Sequence, residues 1–302
     1  MKTLALIVTL ALHVTGVWQN LPATAKASVT AVDTATPVGS LPVRMTAPPA
    51  LPVQTGNPAL SLNASSAYAV DTATGTVLYA QNAADPRAIA SITKLVTILV
   101  ILSTHKTSEE VRIPTLPSYQ TTDQTMGLQP GETYQLGDLV RAILIYSADD
   151  GADALAIYDA GSTTKFAAKM NTKMAEWGIT GAHFSNPSGL TDAGNSASAE
   201  AVAKIAELAL TNPFIRQTVG QSKAVFTNTA GRQFNLPTTD DLLASGQFYG
   251  IKTGYTLNAG ECFVGLTRIQ GHEVITVVLG AGDRFGATLS LTNWIGLNWQ
   301  WL

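Results

Sequence analysis

The sequence predicts an α/β protein of the α+β type, with an antiparallel sheet flanked by helices and a separate cluster of helices. Apolar residues alternate weakly on either side of a break at 71–75, which is typical of a β-hairpin. The eight apolar residues 95–102 are too few to span a membrane and favour a helix buried on all sides. Strand patterns recur in the last third, so strands lie at both ends and helices between them.

The other elements follow in chain order. Further helices are predicted over 136–146, 151–159, 164–177 and 199–210. Strands are predicted over 224–227, 250–252, 262–266 and 274–279, and a last helix over 286–294. The sequence shows no internal repeat, so we expect one folded unit rather than a repeat array.

The first 62 residues are predicted to lie outside the folded domain. Residues 1–27 have a positive start at Lys2, an apolar run and small residues at the end, which is typical of a cleavable export signal. Residues 28–62 are rich in proline and indicate a semi-rigid linker. We therefore expect an exported protein whose folded domain comprises residues 63–302.

Composition excludes several classes of function. Charged residues make up 13% of the chain and the net charge is −3, so no long basic face for a nucleic acid is expected. Cys262 is the single cysteine, which excludes a disulfide framework and a thiolate zinc site. The histidines His105, His183 and His272 lack the spacing of metal ligands. No metal or organic cofactor is predicted.

A serine and a lysine three residues apart form the first candidate motif. Residues 91–94 read Ser-Ile-Thr-Lys, and residues three apart on a helix share a face, so Ser91 and Lys94 can meet. A serine hydroxyl needs a base within hydrogen-bond reach to become a nucleophile. Lysine can be that base if its proton is loosely held, which burial and a second nearby cation favour.

Two further motifs supply the other polar groups. Residues 147–149 read Ser-Ala-Asp at the end of a helical stretch, and residues 252–254 read Lys-Thr-Gly at the end of a strand. Lys252 would be the second cation, and Thr253 offers a hydroxyl to an anionic substrate group. Gly254 would allow the backbone of the substrate to approach the strand. A lone Ser-x-x-Lys is common by chance, whereas three such motifs in this order are specific.

The motif set resembles that of the low-molecular-weight penicillin-binding proteins, which are serine D-alanyl-D-alanine carboxypeptidases. The resemblance covers about residues 66–298, including Asp-Thr-Ala-Thr-Gly at 71–75, Met-Gly-Leu-Gln-Pro-Gly-Glu at 126–132 and Ser-Asn-Pro-Ser-Gly-Leu at 185–190. It implies a β-lactamase/transpeptidase-like fold and an acyl-enzyme mechanism on peptidoglycan stem peptides. β-Lactams would acylate the same serine, in the periplasm or cell-wall space.

The resemblance also implies residue roles. Ser91 would be the nucleophile, Lys94 its base and Ser147 the proton relay to the leaving D-alanine. Lys252 and Thr253 would contact the terminal carboxylate of the substrate. Relatives often continue into a C-terminal amphipathic membrane helix, and the sequence after residue 298 has none, so we expect no C-terminal membrane docking.

Two positions depart from the family pattern. Asp149 stands where the middle motif usually ends in asparagine, and an ionised aspartate only accepts hydrogen bonds and favours the ammonium form of Lys94. We therefore expect slow acylation at neutral pH and faster acylation at higher pH, unless Asp149 is protonated and acts almost like the amide. Tyr255 stands where many relatives have histidine; the backbone N–H groups of Ser91 and Tyr255 would form the oxyanion hole.

Three other functions stay open. An endopeptidase acting on cross-links would use the same residues. A β-lactamase needs a glutamate four residues before an asparagine, and Asn186 has none at that position. A peptidoglycan-binding module would follow if Asp149 had removed useful catalysis, and binding without release of D-alanine would identify it.

The other conspicuous residues are predicted to be structural. Cys262 is expected to be a buried thiol, and residues 186–190 are expected to shape a turn beside the site. The tryptophans Trp294, Trp299 and Trp301 are expected to pack in the core. Asp150 and Asp153 are expected to be a helix cap and part of a solvated face.

Overall fold

The structure is a computed structural model that describes residues 49–56, 59–190 and 194–302. The strands in these residues are β1 (Pro52–Gln54), β2 (Ala64–Asp71), β3 (Val77–Gln81), β4 (Arg87–Ala88), β5 (Glu110–Arg112), β6 (Thr133–Gln135), β7 (Ala182–His183), β8 (Ser196–Ala197), β9 (Lys223–Thr227), β10 (Gln233–Pro237), β11 (Phe248–Thr256), β12 (Gly260–Ile269), β13 (His272–Ala281) and β14 (Trp299–Trp301). The α-helices are α1 (Thr93–Leu102), α2 (Leu136–Arg141), α3 (Asp149–Ala160), α4 (Thr163–Glu176), α5 (Ala199–Leu210), α6 (Pro213–Val219) and α7 (Arg284–Asn298).

The central sheet has five strands in the order β11-β12-β13-β2-β3, and all neighbours are antiparallel. The predicted hairpin is β2–β3. Its turn is closed by Asp71, whose carboxylate accepts hydrogen bonds from the backbone N–H and the hydroxyl of Thr74, and Gly75 takes a positive φ of 69°. The predicted antiparallel sheet with flanking helices is therefore confirmed.

Side chains of β13 alternate between two faces of the sheet, as a strand covered on both sides requires. Val274 packs in a cluster with Leu291 and Ile295 of α7. Ile275 and Val277 point to the main core on the other face, where α5 packs against β13 and β2. The sheet is thus covered by α7 on one side and by the helical cluster on the other.

Helix α1 is the centre of the helical cluster and contacts α3, α4 and α5. Residues 93–101 are all buried, including Thr93, Lys94 and Thr97. The prediction of a helix buried on all sides is correct. Because the helix has no solvent-facing side, every polar group on it needs a hydrogen-bond partner inside the protein. This requirement applies to Lys94.

Some elements differ from the predictions. The helix predicted over 136–146 is split into α2 and a π-helical turn, Ala142–Tyr146, which ends at Ser147. Strand β11 is longer than the predicted strand over 250–252, and α6 was not predicted. The cap of α6 was nevertheless visible in the sequence, because Asn212 accepts from two backbone N–H groups and Pro213 occupies the first turn.

Residues 1–27, predicted as an export signal, lie outside the described residues, and so does most of the predicted linker. Within that linker, β1 pairs antiparallel with β14, and Leu62 is buried beside α7. Trp301 of β14 donates its indole N–H to Asp71 at 2.9 Å and stacks on His272. This part of the predicted linker therefore packs on the fold. In the described part of the chain, no helix is long and apolar enough to cross a membrane.

The edge strand β11 lies next to the start of α1. A 3₁₀ turn, Ala90–Ile92, precedes α1 and packs against β11 and β12. A side chain on Gly254 would not fit there, since its Cβ would lie 2.8 Å from the carbonyl oxygen of Ile89 and 3.2 Å from the nitrogen of Ser91. Gly254 thus allows the edge of the sheet and the start of α1 to meet.

Candidate active site

Ser91 and Lys94 are in direct contact. Ser91 is half-buried in the 3₁₀ turn, and Lys94 is completely buried in the first turn of α1. The Lys94 Nζ atom donates a hydrogen bond to Ser91 Oγ at 2.7 Å. Local helical geometry creates this pair, because residues three apart lie one above the other.

The ammonium of Lys94 has three acceptors, one for each N–H. Besides Ser91 Oγ, it donates to Asp149 Oδ1 and to the backbone carbonyl of Ser188, both at 2.6 Å. Asp149 is 2% exposed, so the Lys94–Asp149 ion pair is shielded from water. The site accommodates a charged Lys94 with every donor satisfied. A neutral amine would donate to Asp149 and Ser188 and accept the proton of Ser91.

Ser147 and Lys252 form a second hydroxyl–amine pair. Ser147 ends the π-helical turn with a left-handed backbone, φ 69°, and its Oγ accepts a hydrogen bond from Lys252 Nζ at 2.8 Å. Lys252 also donates to the carbonyl of Thr253 at 3.0 Å. Complete burial of Lys252 lowers its pKa well below the usual range, and the charge of Lys94 lowers it further. Unlike Lys94, Lys252 has no carboxylate of the described residues within hydrogen-bond distance.

Asp149 also holds a loop over the site. Its second oxygen accepts the backbone N–H of Gln124 at 2.9 Å, and its own N–H donates to the carbonyl of Gln124 at 2.8 Å. Both carboxylate oxygens therefore face donors, one an ammonium and the other an amide. The residue that departs from the family pattern is an acceptor in every side-chain contact it makes here.

The carboxylates of Asp150 and Asp153, which follow Asp149 on α3, are both buried. Asp150 accepts the backbone N–H groups of residues 126–128 and fixes that loop. Asp153 does not lie on a solvated face, as predicted, but is 7% exposed and accepts a hydrogen bond from the Tyr119 hydroxyl at 2.7 Å. Burial raises the pKa of Asp153 to about 6. The prediction failed because a helix face beside the buried α1 is itself covered.

The three motifs converge on one cavity of about 250 Å³. Ser91, Ser147, Asp149 and Thr253 line it, while Lys94 and Lys252 lie beneath its surface, 0% and 1% exposed. The hydroxyl of Thr253 is 2.6 Å from that of Thr239, another lining residue. Two hydroxyls backed by two amines can activate a nucleophile and pass a proton to a leaving group.

Arg284 is a site residue that the sequence analysis missed. Its guanidinium lines the cavity and donates to the carbonyl of Gly254 at 2.8 Å. Arg284 opens α7, although a basic residue is unfavourable at the positive end of a helix dipole. An arginine at that position was therefore a signal that could have been used. Together with the hydroxyl of Thr253, it makes this end of the cavity suited to an anion.

The remaining predictions concern structural residues. Cys262 is fully buried opposite Gly254 in the β11–β12 pair, and burial raises its pKa to about 11. Asn186 shapes the predicted turn, because its side-chain oxygen accepts the N–H groups of Ser188 and Gly189. Tyr255 is 55% exposed at the mouth of the cavity. The predictions of a buried thiol at Cys262 and of a turn at residues 186–190 are borne out, and the role of Tyr255 in the oxyanion hole stays a prediction.

Comparison with known proteins gives the family. The family model of peptidase S11, described as D-alanyl-D-alanine carboxypeptidase, matches residues 53–283. The chain is 32% identical over 231 residues to the D-alanyl-D-alanine carboxypeptidase DacF of Bacillus subtilis. This alignment covers 74% of the chain but only 58% of DacF.

Solved structures agree with this match. A peptidoglycan synthesis regulatory factor, PBP3 from Streptococcus pneumoniae, superposes with a TM-score of 0.71 at 33% identity, covering 79% of this chain and 72% of that one. Penicillin-binding protein D2 from Listeria monocytogenes, solved in an ampicillin-bound form, superposes with a TM-score of 0.68 at 28% identity, covering 80% and 100%. The chain therefore belongs to peptidase family S11, the D-alanyl-D-alanine carboxypeptidases.

Proposed function

We propose that this protein is a serine D-alanyl-D-alanine carboxypeptidase that removes the terminal D-alanine of peptidoglycan stem peptides through an acyl-enzyme. The observation that carries the proposal is the 2.7 Å contact between Ser91 Oγ and Lys94 Nζ, in the same cavity as the Ser147–Lys252 pair. Family membership supports the same reaction. The N-terminal export pattern supports a location in the periplasm or cell-wall space.

The proposed reaction begins with attack of Ser91 Oγ on the carbonyl between the two D-alanines. Lys94 takes the serine proton, and the backbone N–H groups of Ser91 and Tyr255 stabilise the oxyanion, each worth a few kcal/mol. Ser147 then delivers a proton to the leaving D-alanine amine, with Lys252 behind it. Water completes the cycle by hydrolysing the acyl-enzyme.

The terminal carboxylate of the substrate is assigned to the cationic end of the cavity. Thr253 and Arg284 line that end, and Lys252 lies beneath the surface with its Nζ hydrogen-bonded to Ser147. A carboxylate and a guanidinium pair well because their planar groups can form two hydrogen bonds at once. The carboxylate of a β-lactam would take the same place, and Ser91 would open its strained amide.

A second candidate, a penicillin-binding protein with weakened turnover, is favoured by one observation. The 2.6 Å ion pair between Lys94 and Asp149 stabilises the form of Lys94 that cannot accept a proton. Such a protein would bind stem peptides and acylate slowly. Release of D-alanine distinguishes the two candidates.

The test is mass spectrometry of the intact protein after incubation with benzylpenicillin, paired with an assay of D-alanine release from a stem-peptide analogue. We expect one covalent adduct, on the peptide that contains Ser91, and release of D-alanine. The Ser91→Ala variant should give neither result, whereas a matched change at an exposed serine, Ser290→Ala, should give both. An adduct on another residue, or unchanged labelling of Ser91→Ala, would refute the proposed nucleophile.

A further inference from the structure

A turn at residues 120–123 forms part of the wall of the active-site cavity, where Thr122 and Asp123 line it. The turn is closed on itself. The backbone N–H of Asp123 donates to the carbonyl of Gln120 at 3.1 Å, and the Asp123 carboxylate accepts the backbone N–H of Gln120 at 2.7 Å. Residues 113–132 contain no helix or strand, so the position of the turn depends on contacts with other parts of the protein.

Both ends of this turn are held by one helix. On one side, Gln124 and Asp149 form two hydrogen bonds with each other. On the other side, the hydroxyl of Tyr119 donates to Asp153 Oδ2 at 2.7 Å. Asp149 and Asp153 are four residues apart on α3, so their side chains lie on one face of the helix, one turn apart. Two carboxylates of the same helix therefore fix the two ends of the turn.

The two contacts differ in their relation to the cavity. Asp149 lines it and pairs with Lys94, whereas Tyr119 and Asp153 do not line it. Asp153 is 7% exposed and Tyr119 is half-buried, so water competes little for the hydrogen bond between them. A hydrogen bond to an ionised carboxylate is also stronger than one between neutral groups. This contact can therefore fix the wall of the cavity from behind.

We propose that Tyr119 and Asp153 are positioning residues. Their hydrogen bond holds the turn at residues 120–123 where it completes the cavity, and it thereby strengthens ligand binding without taking part in acyl transfer. The inference rests on the proposed function for the identity of the ligand, which is a stem peptide or a β-lactam.

The Tyr119–Asp153 contact should weaken in acid. Burial raises the pKa of Asp153 to about 6 and also raises the pKa of the Tyr119 hydroxyl, so the tyrosine stays the donor while the carboxylate titrates. Among the described residues, the other charged groups that act on this carboxylate are Lys94 of α1 and two residues of α3, Asp149 and Asp150. The ionised acceptor is present above the pKa. Below it the acid is neutral, and its hydrogen bond to the tyrosine is weaker.

The test compares Tyr119→Phe with the wild type by the concentration dependence of labelling with a fluorescent penicillin. This measurement separates the apparent dissociation constant from the limiting rate of acylation. At neutral pH we expect the apparent dissociation constant of the variant to be about fivefold higher, with the limiting rate unchanged. One pH unit below the pKa of Asp153, the two proteins should differ less. Tyr158→Phe is the matched control, because it removes a hydroxyl 3.3 Å from the carboxylate of Glu109 at the other end of α3, and it should change neither quantity.

A second variant tests whether the two groups act together. Asp153→Asn keeps the shape of the side chain and removes its charge, and the double variant Tyr119→Phe/Asp153→Asn completes a mutant cycle. Tyr119→Phe should raise the apparent dissociation constant by a smaller factor in the asparagine background. Hydrogen–deuterium exchange of residues 119–125 reports on the turn directly and should be faster in Tyr119→Phe than in the wild type.

An unchanged apparent dissociation constant in Tyr119→Phe would overturn the inference. A loss confined to the limiting rate would also overturn it, because the charge of Asp153 would then act on Lys94 and not through the turn. Absence of labelling in the wild type would refute the proposed function instead. Exchange would then decide about the contact: faster exchange in Tyr119→Phe would support a positioning role, and equal exchange would overturn it.

Discussion

The Lys94→Met variant should lose acylation by penicillin, with the rate falling about 10²- to 10⁴-fold, because it removes the group that takes the proton of Ser91. The same change should destabilise the fold. Lys94 is completely buried and its partner Asp149 is 2% exposed, so the substitution leaves a buried carboxylate without its cation. Breaking such a pair costs about 3–5 kcal/mol of unfolding free energy.

A double variant separates the two effects. In Lys94→Met/Asp149→Asn the buried charge is gone, so we expect most of the lost stability to return while acylation stays absent. The measurements are urea unfolding and the rate of labelling by a fluorescent penicillin. Lys106→Met, at an exposed lysine, is the matched control and should change neither. Labelling of Lys94→Met at the wild-type rate would show that Lys94 is not the base.

The Asp149→Asn variant should acylate faster than the wild type at neutral pH. The carboxylate at 2.6 Å stabilises the ammonium of Lys94, and an amide in its place would stabilise it less. Transfer of the Ser91 proton to Lys94 would then meet less resistance, and we expect a gain of about tenfold in rate, which corresponds to about 1.4 kcal/mol. The measurement is the rate of labelling by a fluorescent penicillin, taken for both proteins across a range of pH.

The variant also has a structural cost, which the pH profile can separate from the charge effect. Asp149 accepts the N–H of Gln124 with one oxygen and Lys94 with the other, and an asparagine must turn its own NH₂ toward one of these donors. A loosened loop would lower the rate by one factor at every pH. The charge effect instead changes the slope of rate against pH. Identical rates for wild type and variant across the pH range would reject the proposed role of Asp149.

The sequence predicted the parts of the site that local geometry or a short motif defines. Ser91 and Lys94 meet because a single helical turn joins them. The buried helix α1 was visible as a run of apolar residues, and the hairpin β2–β3 as an alternation interrupted by a turn. In each case the decisive contacts lie within a few residues of one another.

Contacts between distant parts of the chain were not predictable in the same way. Arg284 reaches the cavity from α7, and Gln124 meets Asp149 from a loop. The pairing of β1 with β14 joins segments about as far apart as the described chain allows. No periodic pattern in the sequence predicts which distant residue each of these residues contacts. The contacts form when the chain folds and brings the distant segments together.

Gly254 shows that a residue predicted for one reason can also serve a second one. The sequence predicts that it makes room for the backbone of a substrate. Its missing side chain also makes room for the carbonyl of Ile89 and the nitrogen of Ser91 within the protein itself. The glycine thus holds the edge strand against the turn that carries the nucleophile.

The left-handed backbone of Ser147 determines how substitutions at that position should be interpreted. Glycine adopts φ near 69° without strain, whereas any residue with a Cβ is strained there, at a cost of about 1 kcal/mol. Serine and alanine both have a Cβ, so Ser147→Ala removes the hydroxyl and leaves the backbone strain as it is. Ser147→Gly removes the hydroxyl and also relieves that strain, so the difference between the two variants measures the contribution of the left-handed backbone, and Ser147→Ala alone reports on proton transfer.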